Sequence, residues 1–226
     1  MNEKVDGLRA PLSTRIALPS RAFAQVRNDA ADLPCRRARL YPAMLSGVHN
    51  PWGPAGQLLD SWSVLELCES VAVLDLIEIL IGSDIVLWDS ALWLPANRAS
   101  DLCWMNDEWQ FWPADPLNGA SVLLDLSEQA RGTARATVCD IHTLRANPKA
   151  LSAALPEGSP GLCIRYMPAT SLYNRAADFA ANRAAALREP LINYMNRPIW
   201  LVRGEDHAGS DFVTGFNLPV PNWVPS

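Results

Sequence analysis

Histidine is scarce in this chain: among 226 residues there are only His49, His142 and His207. A metal site built on two histidines would have to use two of these three, and none is followed two residues later by a carboxylate. The five cysteines, Cys35, Cys68, Cys103, Cys139 and Cys163, are odd in number and widely spaced, with no C-x-x-C pair for zinc or redox work. They read as buried or free thiols in a reducing cytoplasm. Long apolar runs are missing too. The most apolar stretch, Val71 to Leu94, is broken by Asp75, Glu78, Asp84 and Asp89, and the start MNEKVDGLRAPLS has no apolar h-region. The expectation is a soluble cytoplasmic protein without membrane span or signal peptide. No G-x-S-x-G elbow, Walker loop, G-x-G-x-x-G or H-E-x-x-H occurs, so nucleophilic and phosphoryl-transfer chemistry lack sequence support.

Positive charge is also thin. The net charge is −5 and no dense basic stripe gathers for phosphate neutralisation, which argues against a nucleic-acid partner. The first forty residues are the local exception, with eight basic against four acidic residues, hence +4 there and −9 in the remainder. A solvated extension accounts for that excess more simply than a docking arm for an acidic partner.

What is present is apolar content enough for one domain with a real core, at 49% of the chain. Residues 1–55, rich in Pro, Arg and Gly, read as an irregular N-terminal arm or short helices. From Leu58 to Leu80 the apolar residues recur at mostly helical spacing and stop at Gly82, predicting one or two amphipathic helices. After Gly82 the period shortens. DIVLWDSALWL, CWMNDEWQFW, ASVLLDL, ARATVCDIHTL, GLCIRYM and PIWLVRG are β-prone runs bounded by turn residues, which suggests an antiparallel sandwich or barrel. Asn174 to Arg188 is helix-prone. The domain is placed at 56–208 and a coil tail at 209–226.

The segment LLDSWSVLELCESVAVLDLIEILIGSDIVLWDSALWL with CWMNDEWQFWP, and later GLCIRYMP and RPIWLVRGED, resembles the phytanoyl-CoA dioxygenase family of Fe(II)/2-oxoglutarate oxygenases over roughly residues 50 to 207. The resemblance implies a mainly β fold with flanking helices, a double-stranded β-helix (jelly roll, cupin-like). It also implies a facial triad of two histidines and a carboxylate. The first two ligands come from a Trp-His-x-Asp run, which here reads Trp104, Met105, Asn106, Asp107. The phrase bearing the third reads Asp140 to Pro148, with Arg145 where a histidine is expected. A thioether is a poor Fe(II) donor among hard ligands, and a guanidinium has no lone pair to give. The keto-acid clamp position falls near Ser159 and carries no arginine, although Arg165 or Arg145 could substitute. The connection from Ser127 to Arg135 is also several dozen residues shorter than the family's, so the barrel is expected to be abbreviated, and more open or completed by another chain.

These departures predict a degenerate member that uses no iron or other cofactor. Its expected role is a non-catalytic subunit, as a homodimer or beside an intact oxygenase relative, or a binder of an apolar small molecule. Trp88, Trp93, Trp104 and Trp109, with His142 and Arg165, are the pocket candidates, although tryptophans in strands more often pack cores. The alternative is a metal-independent cyclase or isomerase with Asp107 or Glu108 as acid or base. A third reading keeps an atypical oxygenase using Asp107, Asp140 and His142, the last two alternating on one strand face. Finally, Arg145 is expected to take the place of the metal as the counter-charge of Asp107, with Arg145→Met costing roughly 3–5 kcal/mol.

Overall fold

The structure, a computed structural model, describes residues 10–36, 45–94, 111–127, 132–183 and 197–212, without the side chains of 34–36. Within the expected irregular arm it contains strand β1 (Leu12–Ala17) and helix α1 (Ser20–Arg36), so position 55 is no architectural boundary. Pro19 sits at the junction, where its missing N–H and fixed φ suit the start of a helix. Along α1, Ala22, Phe23, Val26, Ala30 and Leu33 recur at helical spacing and are buried.

The apolar period after Leu58 resolves into α2 (Ser61–Cys68) and α3 (Val71–Ile81). The Asp60 carboxylate accepts from the backbone N–H of Trp62 and Ser63 and so caps α2, while Gly82, at φ 91°, stops α3 in a conformation that few other residues adopt. Seven further strands follow: β2 (Ile85–Trp93), β3 (Ala114–Asp115), β4 (Ala120–Asp125), β5 (Thr133–Asp140), β6 (Gly161–Pro168), β7 (Leu172–Tyr173) and β8 (Trp200–Arg203). A short helix, α4 (Ile141–Ala146), interrupts after β5.

The six longer strands form one antiparallel sheet in the order β1-β5-β4-β6-β2-β8, and β3 pairs with β7 in a second, two-stranded sheet. The fold is thus mainly antiparallel β with flanking helices, the class expected from the strand runs. Two small sheet strands facing a six-stranded one match a jelly roll whose second layer is abbreviated among the described residues.

Period-two alternation divides the large sheet into two faces. Ile85, Leu87, Val122, Leu124, Ala136, Leu162 and Ile164 join the buried residues of α1, α2 and α3 in one apolar cluster. Each Val, Leu or Ile among them contributes roughly 1.5–3 kcal/mol on burial, and this face is closed by hydrophobic contact. Its main polar tie is the Tyr166 hydroxyl, which donates to the Cys68 carbonyl at 2.7 Å. The other face presents Val86, Trp88, Ala91, Trp93, Leu123, Cys163 and Met167 toward Phe111, Trp112 and Tyr173. Cys68, Cys139 and Cys163 are buried, in line with the sequence reading. No helix among the described residues is long and apolar enough to cross a membrane.

Candidate functional site

The interior face carries charge where a core should have none. Midway along β2 the pairing with β6 slips between Leu87 and Asp89, leaving Trp88 as the extra residue of a bulge. A bulge re-aims the side chains beside it. Asp89, two residues before Ala91 on that face, is completely buried and meets Arg165 of β6, with Nη1 donating to Oδ2 at 2.7 Å. Arg165 is itself only 1% exposed.

The second Asp89 oxygen is held by a segment that runs along β2 past the end of β8. Ser46 bridges Ala91, the Gly47 backbone N–H donates to Oδ1 at 3.1 Å, and the Arg197 guanidinium bonds Oδ1 as well. Arg197 also donates to Ser46 Oγ at 3.1 Å. Gly47 has φ 64°, the left-handed region that glycine enters at least cost. One buried carboxylate therefore binds two strands and the Ser46–Gly47 turn to two arginines. The charge-assisted bonds offset a desolvation cost that an unpaired ion could not bear.

On the opposite side of the bulge, Ser90 Oγ accepts from the His49 backbone N–H at 2.9 Å and lies 2.8 Å from its Nδ1. Burial drives the His49 pKa from 6.5 down to about 3; Asp89 opposes the shift and Arg197 adds to it. Both residues are completely buried and His49 packs edge-on against Trp200, so the pair has no access to a substrate and serves as structure.

The aromatic cluster adjoins Asp89. Trp88 meets Trp112 edge to face at 5.1 Å and Tyr173 at 6.4 Å, and the Arg175 guanidinium lies 4.6 Å over the Tyr173 ring. Trp112 is seated on Gly119, where a Cβ would fall 2.0 Å from the indole and 2.5 Å from the Tyr166 carbonyl oxygen. Among the described residues the buried indole N–H groups of Trp93 and Trp112 meet no hydrogen-bond partner, a costly state for a donor.

Of the residues singled out from sequence, Trp88, Trp93 and Arg165 reach this interior face together. Trp104, Met105, Asp107, Glu108 and Trp109 lie outside the described residues. Ser159 is buried between the turn at Gly158 and β6, at 8% exposure. The remaining candidates need correction. Asp140 and His142 do not alternate on a strand: Asp140 ends β5 and its carboxylate accepts from the Thr143 N–H at 2.7 Å, capping α4. That cap turns Ile141–Ala146 into helix and leaves His142 exposed. Arg145, in the last turn of α4, is likewise exposed, and the Asp107 with which it was expected to pair lies outside the described residues.

All three histidines are now placed. His49 is locked behind β2, His142 is exposed on α4, and His207 lies 3.5 Å from Asp84 in a loop after β8. From β5, which leads into α4, to β2, which Asp84 precedes, is three strand spacings, roughly 14 Å. Among the described residues no three His, Cys, Asp or Glu side chains converge. With no two histidines available together, the donor set does not fit a two-histidine iron site.

No family model matches this chain, and no curated protein does. Two solved structures of CytC3 are similar to it at 13% and 15% identity, with TM-scores of 0.45 and 0.47; the second is described as CytC3 with Fe(II) and alpha-ketoglutarate. Each match covers 86% of this chain and 83% of that one. A non-heme monooxygenase, the ThoJ–Ni complex, is similar at 14% identity and a TM-score of 0.40, over 85% of this chain and 81% of that one.

Proposed function

We propose that this chain is a degenerate relative of the phytanoyl-CoA dioxygenases that binds rather than oxidises. Its interior face holds a small molecule with an apolar body, and it acts alone or as the non-catalytic subunit of a larger assembly. The observation that carries this reading is the dispersal of the three histidines to three unconnected places, which leaves no pair for Fe(II). Trp88, Trp93, Trp112 and Tyr173 supply an aromatic wall, and the indole N–H groups of Trp93 and Trp112 favour a ligand with a carbonyl or ether acceptor.

Calorimetric titration of the purified chain with Fe(II) and 2-oxoglutarate tests the loss of iron chemistry, with no saturable heat at micromolar concentrations as the expected result. Stoichiometric binding accompanied by decarboxylation of the keto acid would overturn it. Native mass spectrometry of the same sample addresses the binding role: a retained small molecule or a second chain is expected. A bare monomer that takes up no apolar probe would count against that part.

A further inference from the structure

A groove opens on the helix-covered side of the large sheet, away from the interior face. It lies between the end of β1, at Leu18 and Pro19, and the junction of α2 with α3, at Glu66, Glu69, Val71 and Asp75. Its volume is about 640 Å³, within the range of roughly 300–1,000 Å³ typical of ligand pockets. Leu18 forms part of an apolar floor, and Val71 stands on the rim at 67% exposure.

The charges around this floor are of one sign. Among the described residues, three of the nine that line it are acidic and none is basic. Glu66 stands in the last turn of α2 and Glu69 caps it, where the helix already presents negative carbonyl ends and has no basic residue of its own in that turn. Partial burial raises the pKa of the Glu69 carboxyl above its ordinary value. Asp75 is held from the far side by Arg203 at 2.9 Å. Two carboxylates at a helix C-terminus are poor choices for stability, and an apolar floor between them is poor for solubility. Both become favourable when a cation with an adjoining apolar side chain fills the groove.

We propose that this groove docks a short basic segment of a partner protein, a lysine or arginine between Glu66 and Glu69 with a neighbouring aliphatic residue against Leu18 and Val71. This site is independent of the interior face and of whatever ligand binds there. The test is fluorescence anisotropy of the full chain with a labelled Ala-Leu-Lys-Ala-Leu-Arg-Ala peptide and its charge-reversed counterpart, in which Glu replaces Lys and Arg. Binding of the basic peptide alone is expected, weakened at least tenfold by Glu66→Lys/Glu69→Lys and comparably by 0.5 M salt, because exposed charges are screened. Val71→Asp should weaken it as well, with the thermal melt of every variant kept close to wild type. Three results would overturn the proposal: no binding at millimolar peptide, equal binding of the reversed peptide, or unchanged affinity in the double variant. Sedimentation supplies the remaining arm. If the chain self-associates and the double variant disperses it, the occupant is a second copy and the assignment to a foreign segment fails.

Discussion

The two faces of the six-stranded sheet are built on different principles. Against α1, α2 and α3 the strands present aliphatic side chains to aliphatic side chains, and any one of them can be trimmed with a graded cost. The interior face instead places Asp89, Arg165 and Arg197 beside a cluster of indoles, so that its order depends on a few matched partners. The contrast teaches where this protein is tolerant and where it is brittle. The helix-covered face holds the fold by sheer area, whereas the interior holds a specific arrangement by pairing.

Asp89→Asn should have the largest effect, because it leaves two arginines in the core against a neutral amide. A loss of about 3–5 kcal/mol is expected in urea melts. Adding Arg165→Met should recover part of it, the non-additivity that marks a direct pair. A double-variant loss equal to the sum of the two single-variant losses would mean that the charges do not depend on one another.

Acid should act on the same neighbourhood. His49 is neutral when folded, with its pKa lowered to about 3 from 6.5, so the unfolded chain takes up a proton that the folded chain refuses. Its contribution is therefore complete above pH 6.5 and is lost as pH falls toward 3. By pH 4.5 the loss from this group is about 3 kcal/mol. His49→Gln should flatten that part of the stability–pH curve, and a parallel curve in the variant would show that His49 does not titrate this way.

On the helix-covered face, Ile77→Val should cost only about 1 kcal/mol, the ordinary price of a methylene, with no dependence on pH. A loss several times larger would show this face to be as brittle as the other. Smallest of all is Arg145→Met, now expected to fall within about 0.5 kcal/mol of wild type, since Arg145 is exposed. A loss of several kcal/mol in the melt would restore the earlier expectation that Arg145 replaces a metal.

The helices from Ser61 to Ile81 and strands β2, β4, β5, β6 and β8 were legible because their apolar period survives in the sequence. β1 and α1 were not, because arginines and flanking prolines make Pro11 to Arg36 read as an arm. The strand gains its meaning only from its pairing with β5, in which Leu12 meets Val138 and Ala17 meets Thr133. The turn into α4 was missed because Asp140 can end a strand or cap a helix, and sequence alternation favoured the first. Asp89 was noticed only as a break in an apolar run. A stronger signal was available: Asp89 within IVLWDSALW and Arg165 within GLCIRYMP are the lone charges of two otherwise uncharged strands, and two such residues must find each other or destabilise the core.

The seating of Trp112 on Gly119 has an optical consequence. Two indoles held edge to face with centroids 5.1 Å apart are coupled oscillators, so the pair of Trp88 and Trp112 should split its strong ultraviolet transition into a bisignate circular-dichroism band. That band depends on the mutual orientation of the rings rather than on secondary structure. It gives the interior face a built-in reporter, able to register a ligand entering among the indoles while the backbone spectrum stays unchanged.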